Sequence, residues 1–400
     1  MLEKKLQVNI KRNTWPGKPP AWTSPSTLFD KVDVVQALLM LGSLTTPSGL
    51  SPGSPERYWA CMRYFSACTS SSDLRVSAPF MELDPHQKGI LSDDFGVAIS
   101  TAWLTNRLGG IRSIVDGRKF MINMGIKKLN ASPSKRLAKV GPTKCPDYVL
   151  EDTAGKFHVL ECKGTQSGTA YLAKAMKTGQ VQKRGIKIAK PLRGDRLVIG
   201  LSLAGEGEAG DSELVVIDPE DEPLTEVRES DQERAEEVLG RLTLARALNL
   251  TGFSRTASEI AWPESLQRTS PELALLTPAE IRRTETTERE RREQWEAELK
   301  SEFSQRRPRT SQEYVTQQMT FDIPTLRLDS GDPVSRVTVS RGVKREVLEQ
   351  LASAGADMRD AARSLVEPKK VRQAAVKFKD ADHFARLEYQ NLFFSQIDFE

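Results

Sequence analysis

The sequence predicts an α/β fold: a core with a mixed sheet over residues 88–220, preceded by a mostly helical N-terminal region (1–87) and followed by a mainly α-helical C-terminal domain (221–400). Three observations carry this expectation. Through the middle of the chain, short runs rich in Val, Ile, Leu and Phe alternate with segments of helical spacing. Beyond the acidic run Asp218-Pro219-Glu220-Asp221-Glu222-Pro223 the pattern turns to long helical periodicities. At 400 residues, two or three domains are expected, of which the core takes about a third.

The N-terminal region opens with Trp15, Pro19, Pro20 and Trp22, then predicts helices over Leu28–Leu41 and Pro55–Cys68, separated by a Ser/Pro/Gly linker. Arg57 and Arg63 alternate there with Tyr58, Trp59, Tyr64 and Phe65, a mixture suited to helix packing or to stacking on bases. In the core, Ser92 is placed as the cap of an amphipathic helix whose Phe95, Ile99, Ala102 and Trp103 recur at helical spacing and stop at Gly109-Gly110. Ile111–Val115 and Lys119–Met124 read as strands joined by an Asp116-Gly117 turn. Two further strands contain Pro146-Asp147-Tyr148-Val149-Leu150 and Phe157 to Thr165. A helix over Thr169–Arg184 and strands over Arg196–Ala204 and Glu213–Ile217 complete the core.

The C-terminal domain predicts helices over Asp231–Leu250, Thr277–Phe303, Arg341–Leu365 and Lys370–Phe394. Glu288 to Glu302 is dense in Glu and Arg at spacings of three and four, with Trp295 and Leu299 almost its only large apolar residues, which reads as a salt-bridge-laced exposed helix. The terminal Phe393–Phe399 is apolar enough to dock on the body or on a partner.

Chemistry concentrates on two consecutive strands. Asp147 is followed after thirteen residues by Glu161-Cys162-Lys163. Residues two apart on a strand share a face, so Glu161 and Lys163 project together, and an antiparallel neighbour brings Asp147 beside them. Two hard carboxylates suit Mg²⁺, with waters and a phosphate oxygen filling its shell. The main-chain carbonyl of Cys162 is a further candidate ligand, and Lys163 a candidate for orienting or deprotonating the attacking water.

Pro146-Asp147 with Glu161-Cys162-Lys163 resembles the signature of the PD-(D/E)xK nuclease superfamily, the restriction-endonuclease-like fold, over roughly residues 88–220. The resemblance implies an αβββαβ core, a Mg²⁺ or Mn²⁺ cofactor, and phosphodiester hydrolysis of DNA or, less often, RNA, leaving a 5′-phosphate. A prokaryotic or phage defence, restriction or recombination role is implied with it. It further implies an acid on the helix before the first strand, here Asp94 of Ser92-Asp93-Asp94-Phe95 where the family more often has Glu. A glutamine on the helix after the ExK strand is implied too, Gln182 being the better match and Gln180 its neighbour.

Net charge is nearly balanced, 58 basic against 54 acidic residues for a formal +4, but its distribution is not. Gly117 to Pro146 contains no Asp or Glu and includes Lys144; Cys162 to Gly194 is again free of acids and includes Lys163, Lys174, Lys177, Lys183, Arg184, Lys187, Lys190 and Arg193. Two cationic tracts bracketing a carboxylate pair suit a phosphate backbone. Lys144, Gln180, Lys183 and Arg184 are therefore the expected nucleic-acid contacts.

Other motifs fall short. Gly205-Glu206-Gly207-Glu208-Ala209-Gly210 fits GxGxxG, but its two glutamates would repel a pyrophosphate and a strand follows where a helix is needed. Gly200-Leu201-Ser202-Leu203-Ala204 lacks the second glycine of a nucleophile elbow. With three histidines and four scattered cysteines there is little material for a zinc cage, and His158 reads as a packed, hydrogen-bonding residue. No secretory or membrane-spanning segment is legible, so a cytoplasmic protein is expected.

The expected function is a Mg²⁺-dependent endonuclease acting on nucleic acid, DNA ahead of RNA, with Asp147 and Glu161 as metal ligands, Lys163 as water-positioning base and Asp94 as an additional acid. The expected partners are the nucleic acid and, through the C-terminal helices, a second copy or further subunits. Two alternatives remain: a catalytically inactive nucleic-acid-binding subunit of a larger complex, and an RNA-directed nuclease.

Overall fold

The computed structural model describes residues 2–51, 53–125, 145–190, 192–220, 226–261, 289–290, 292–301, 313–328, 331–366, 377–381, 384–389 and 392–400. It is a mixed α/β structure. In chain order the strands are β1 (Glu3–Ile10), β2 (Thr27–Asp33), β3 (Arg75–Val76), β4 (Ile111–Asp116), β5 (Tyr148–Asp152), β6 (Phe157–Thr165), β7 (Lys187–Ile188), β8 (Arg193–Ser202), β9 (Ala204–Gly205), β10 (Glu213–Ile217), β11 (Glu226–Val227), β12 (Tyr314–Arg327), β13 (Pro333–Lys344), β14 (Lys377–Ala381), β15 (Phe384–Tyr389) and β16 (Phe393–Phe399). The helices used below are α1 (Val34–Thr45), α2 (Trp59–Tyr64), α3 (Ala78–Met81), α4 (Pro85–Arg107), α5 (Gly117–Asn123), α6 (Thr169–Lys183), α7 (Gln232–Leu250), α8 (Ser254–Ala261), α9 (Arg345–Ala354) and α10 (Met358–Leu365).

A seven-stranded sheet runs in the order β2-β1-β10-β8-β6-β5-β4. Strands β4, β5 and β6 form an antiparallel meander, β6 lies parallel to β8, β8 antiparallel to β10, and β10 parallel to β1. The parallel step from β6 to β8 needs a crossover, and α6 supplies it. On the other face α4 packs on β6 and β8. Leu91, Phe95, Ile99 and Trp103 of α4 lie buried with Tyr148, Leu160, Ile199 and Leu201 of the sheet, as the helical spacing predicts.

Two core expectations are corrected. Ser92 does not cap α4: the Asp84 side chain accepts from the His86 and Gln87 N–H, Pro85 follows, and Ser92 sits inside the helix donating to Lys88 O at 2.7 Å. An Asp cap followed by Pro at the first helical position is the stronger start signal, contributing about 0.5–2 kcal/mol. Lys119–Met124 is not a strand. The Asp116 side chain accepts from Lys119 N–H at 2.7 Å, so the supposed hairpin turn is the first turn of α5.

The flanking regions depart further. The N-terminal region, expected to be mostly helical, supplies the β1/β2 hairpin that extends the central sheet beyond β10, and α-helix begins only at Val34. Arg57, Tyr58 and Tyr64 are buried, which is the packing reading of that cluster. The mainly α-helical expectation for 221–400 is overturned by a five-stranded sheet, β12-β13-β16-β15-β14. In place of the expected Lys370–Phe394 helix the described residues form β14, β15 and the start of β16, and Phe384 to Tyr389 alternate between half-buried and buried with a period of two. Helix begins at Arg345, not Arg341, since Val337, Val339 and Val343 belong to β13. Phe393–Phe399 docks on the body as β16, between β13 and β15. Trp295 and Leu299 are buried against α7, α8 and α9, so that helix is not wholly exposed. Among the described residues no helix is long and apolar enough to cross a membrane.

Candidate active site

The site forms where two strands part. β5 and β6 pair from Glu151↔Phe157 to Tyr148↔Leu160, and the ladder ends there. One step further, side chains replace main-chain bonds: Glu161 Oε2 accepts from the Asp147 N–H at 3.1 Å, and Asp147 Oδ2 accepts from the Cys162 N–H at 2.8 Å. Each carboxylate satisfies a donor that the ended ladder leaves open. The two acids are thereby held side by side.

Lys163 joins them from the face it shares with Glu161. Its Nζ donates to Glu161 Oε1 at 2.6 Å and to Gln182 Oε1 at 2.9 Å. Gln182 comes from α6, and Gly179 lets that helix close in: a Cβ there would meet Glu161 Cγ at 3.1 Å and Lys163 Cε at 3.3 Å. The opposite face is tighter still. A Cβ on Gly96 would lie 2.8 Å from Lys163 O, and one on Gly164 only 1.7 Å from Ser92 O. Backbone touches backbone, and that contact sets the height of α4 and the place of Asp93 beside Ser92.

Burial governs the electrostatics. Glu161 is fully buried. Withdrawal from water and then the Asp147 charge push its carboxyl up to about 8, against the pull of Lys163. Asp147 is raised by burial, with the Cys162 N–H and Lys163 drawing it down. Burial alone would lower Lys163, but the Glu161 carboxylate outweighs it and the amine stays above its ordinary value. Lys163 is therefore an ammonium, a donor and not a base, in the resting site. Two of its three N–H vectors are taken by Glu161 and Gln182, leaving the third for a water or a phosphate oxygen.

Of the residues expected from sequence, Asp147, Glu161, Lys163 and Gln182 converge. Asp94 does not: its carboxylate accepts from the Tyr64 hydroxyl at 2.5 Å. The acid of α4 whose charge is felt by Asp147 and Lys163 is its neighbour Asp93. Cys162 contributes its N–H to Asp147, while its side chain is buried in the α4-side core, so only its main-chain carbonyl remains as a ligand. Gln180 joins none of these groups. Lys183 is no nucleic-acid contact: it is fully buried, donating to Arg196 O at 2.7 Å and Pro219 O at 2.6 Å, with Asp218 Oδ1 at 3.3 Å. Arg184 is exposed at the end of α6, and Lys144 lies outside the described residues. His158 is buried as expected, with Nε2 3.2 Å from Asp152 Oδ2 and Nδ1 accepting from Asp195 N–H at 2.9 Å. Among the described residues no group of three or more His, Cys, Asp or Glu side chains is gathered for a metal; the donor set here is two carboxylates.

The raised Glu161 carboxyl predicts a pH dependence. With its folded pKa near 8 and an ordinary value of 4.5, the native state holds the proton more tightly than the unfolded chain. Stability is therefore lost as pH rises between those values. Glu161→Gln removes that loss. In chelator, the melting temperature of the wild type should fall more steeply from pH 5 to 8.5 than that of the variant. Glu151, raised to about 7 mainly by burial, adds to both curves alike, so their difference isolates Glu161. Parallel curves would show that Glu161 is not the titrating group.

No known family model matches this chain, and no curated protein or solved structure is found to be similar to it.

Proposed function

We propose that the chain is a metal-dependent nuclease with a restriction-endonuclease-like core, hydrolysing phosphodiester bonds of DNA. The observation that carries this reading is the meeting of Asp147, Glu161 and Lys163 where β5 and β6 diverge, joined by Gln182 from the crossover helix. With α5 inserted between β4 and β5 and the two-residue β7 before β8, the order α4-β4-β5-β6-α6-β8 supports it, following the helix, three strands, helix and strand that the resemblance implies. So does the raised carboxyl of Glu161, whose ionisation burial and the Asp147 charge oppose and a bound cation would favour.

The donor set fits Mg²⁺ or Mn²⁺: Asp147 and Glu161 would hold it, with the Cys162 carbonyl as the main-chain contribution. One or two carboxylates, completed by water and substrate phosphate, are how Mg²⁺ is commonly bound. When present, the ion supplies Lewis acidity and a water of lowered pKa. Lys163 donates its remaining N–H to the attacking water or to a non-bridging phosphate oxygen, opposing the charge that builds up in the transition state. Gln182 fixes the ammonium on the side away from Glu161, so its direction is set before substrate arrives. Water adds to phosphorus as the P–O3′ bond breaks, the water losing a proton to bulk solvent and the departing 3′-oxygen taking one up from it, which leaves a 5′-phosphate and a 3′-hydroxyl.

Supercoiled, linear and single-stranded DNA and RNA, each offered with Mg²⁺ or Mn²⁺, test the reading. The expected result is DNA cleavage that stops with chelator. Metal ion should also raise the melting temperature of the wild type but not of Asp147→Asn, because a ligand bound to the folded state alone stabilises it. Cleavage confined to RNA would make it an RNA-directed nuclease. Tight binding indifferent to metal, with nothing cut, would make it a binding subunit.

A further inference from the structure

The outer face of α6 carries a feature that the catalytic trio does not use. Leu172, Met176, Gly179 and Lys183 form its buried side. Tyr171, Lys174, Thr178 and Gln182 follow one another at helical spacing on the other side, with Lys177 and Val181 along the flank. Tyr171 is 56% exposed, and neither a hydrogen bond nor a ring contact holds it among the described residues. Lys174 and Lys177 are exposed and enter no ion pair among the described residues, because α6 contains no Asp or Glu. Lys174, Lys177, Thr178, Val181 and Gln182 line an open groove of about 500 Å³. Gln182, one of these lining residues, is the one that accepts from Lys163.

An exposed aromatic ring and two uncompensated ammonium groups lead straight to the candidate catalytic centre. From Tyr171 to Gln182 the stripe is about 16 Å long at the helical rise per residue, or about five nucleotides at duplex spacing. In an intact duplex the base faces are already stacked on one another. A lone tyrosine gains a base face only from an unpaired base, and such stacking is tolerant of sequence.

We propose that the outer face of α6 binds single-stranded DNA, with Tyr171 stacked on an unpaired base and Lys174 and Lys177 on phosphates, and guides the strand into the Asp147–Glu161–Lys163 centre. The direction of travel rests on the nuclease reading; the binding surface does not. A strand held this way enters the centre past Gln182, so the substrate is a single strand or the unpaired tail of a duplex.

Fluorescence anisotropy in chelator tests this without cleavage, using a labelled thymidine oligonucleotide, a hairpin duplex of the same length and a uridine oligonucleotide. Tyr171→Ala should weaken single-strand binding about tenfold and leave duplex binding unchanged. Lys174→Ala with Lys177→Ala should lower the slope of log affinity against log salt by about 1.4 for the single strand. All three side chains are solvent-facing, so unchanged melting temperatures confirm that the fold is intact. Wild-type affinity in these variants would overturn the proposal, as would equal losses on duplex and single strand; tighter binding of uridine than thymidine would overturn the assignment to DNA. If the wild type cuts DNA while the variants bind normally, the surface is wrong and the nuclease reading stands. If the variants lose single-strand binding while the wild type cuts nothing, the surface stands and the nuclease reading falls.

Discussion

Replacing Lys163 with Ala should lower the rate of DNA cleavage by about 10²–10³-fold, the loss typical of removing one preorganised donor from a developing negative charge. Three features of the site make the effect large. The ammonium is held at 2.6 Å from Glu161 Oε1 and 2.9 Å from Gln182 Oε1, so its free N–H needs no reorganisation when charge builds on phosphate. It also holds down the Glu161 carboxyl, which burial and Asp147 push up to about 8. Without Lys163 that carboxyl rises further, so the pH at which Glu161 ionises should move up with it. Arginine should not rescue the variant: the lysine stem runs 3.3 Å from where a Gly179 Cβ would lie, and a planar guanidinium is bulkier than the ammonium it would replace. Single-turnover cleavage at several pH values reads both effects. Undiminished cutting by Lys163→Ala would remove the amine from the mechanism, whatever the fate of the metal.

The convergence of Asp147, Glu161 and Lys163 was legible in the sequence for a simple reason. A strand has period two, so Glu161 and Lys163 had to share a face, and one antiparallel partner sufficed to bring in Asp147. Gln182 was singled out only through the family resemblance, and in the structure it meets Lys163. The α4 acid was not legible: Asp93 and Asp94 are neighbours about 100° apart around the helix, and the resemblance marks the helix without saying which of the two faces the strands. Asp94 is occupied by the Tyr64 hydroxyl, and Asp93 is the one whose charge reaches Asp147 and Lys163. Lys183 was misread because a basic tract does not announce which of its members faces inward; two carbonyls and Asp218 claim this one. The C-terminal sheet was missed for a different reason. Glu- and Arg-rich segments satisfy helical spacing by abundance alone, while the true signal was alternation, as in Phe384-Ala385-Arg386-Leu387-Glu388-Tyr389. The β1/β2 hairpin depends on pairing with β10, some two hundred residues along the chain, which no local pattern reveals.

Gly164→Ala should destabilise the protein by about 3 kcal/mol or more, at the upper end of the cost of overpacking. The added Cβ would stand 1.7 Å from Ser92 O and 2.4 Å from Ser92 C, both backbone atoms inside α4 with no rotamer to escape into. Restoring an ordinary C···O contact of about 3.3 Å requires the helix to lift by roughly 1.5 Å. The same movement would carry Asp93 away from Asp147 and Lys163, so activity should fall beyond what instability explains. Gly89→Ala on the same helix gives the opposite sign. Nothing lies within 4 Å of a Cβ there, and Ala is favoured over Gly inside a helix by about 0.5–1 kcal/mol. Denaturant midpoints of the two variants against wild type read the contrast, and a refolded Gly164→Ala shows in its residual cleavage whether α4 has moved. Equal stability for Gly164→Ala and wild type would mean that α4 does not rest on β6 at Ser92, and the placement of Asp93 at the site would fall with it.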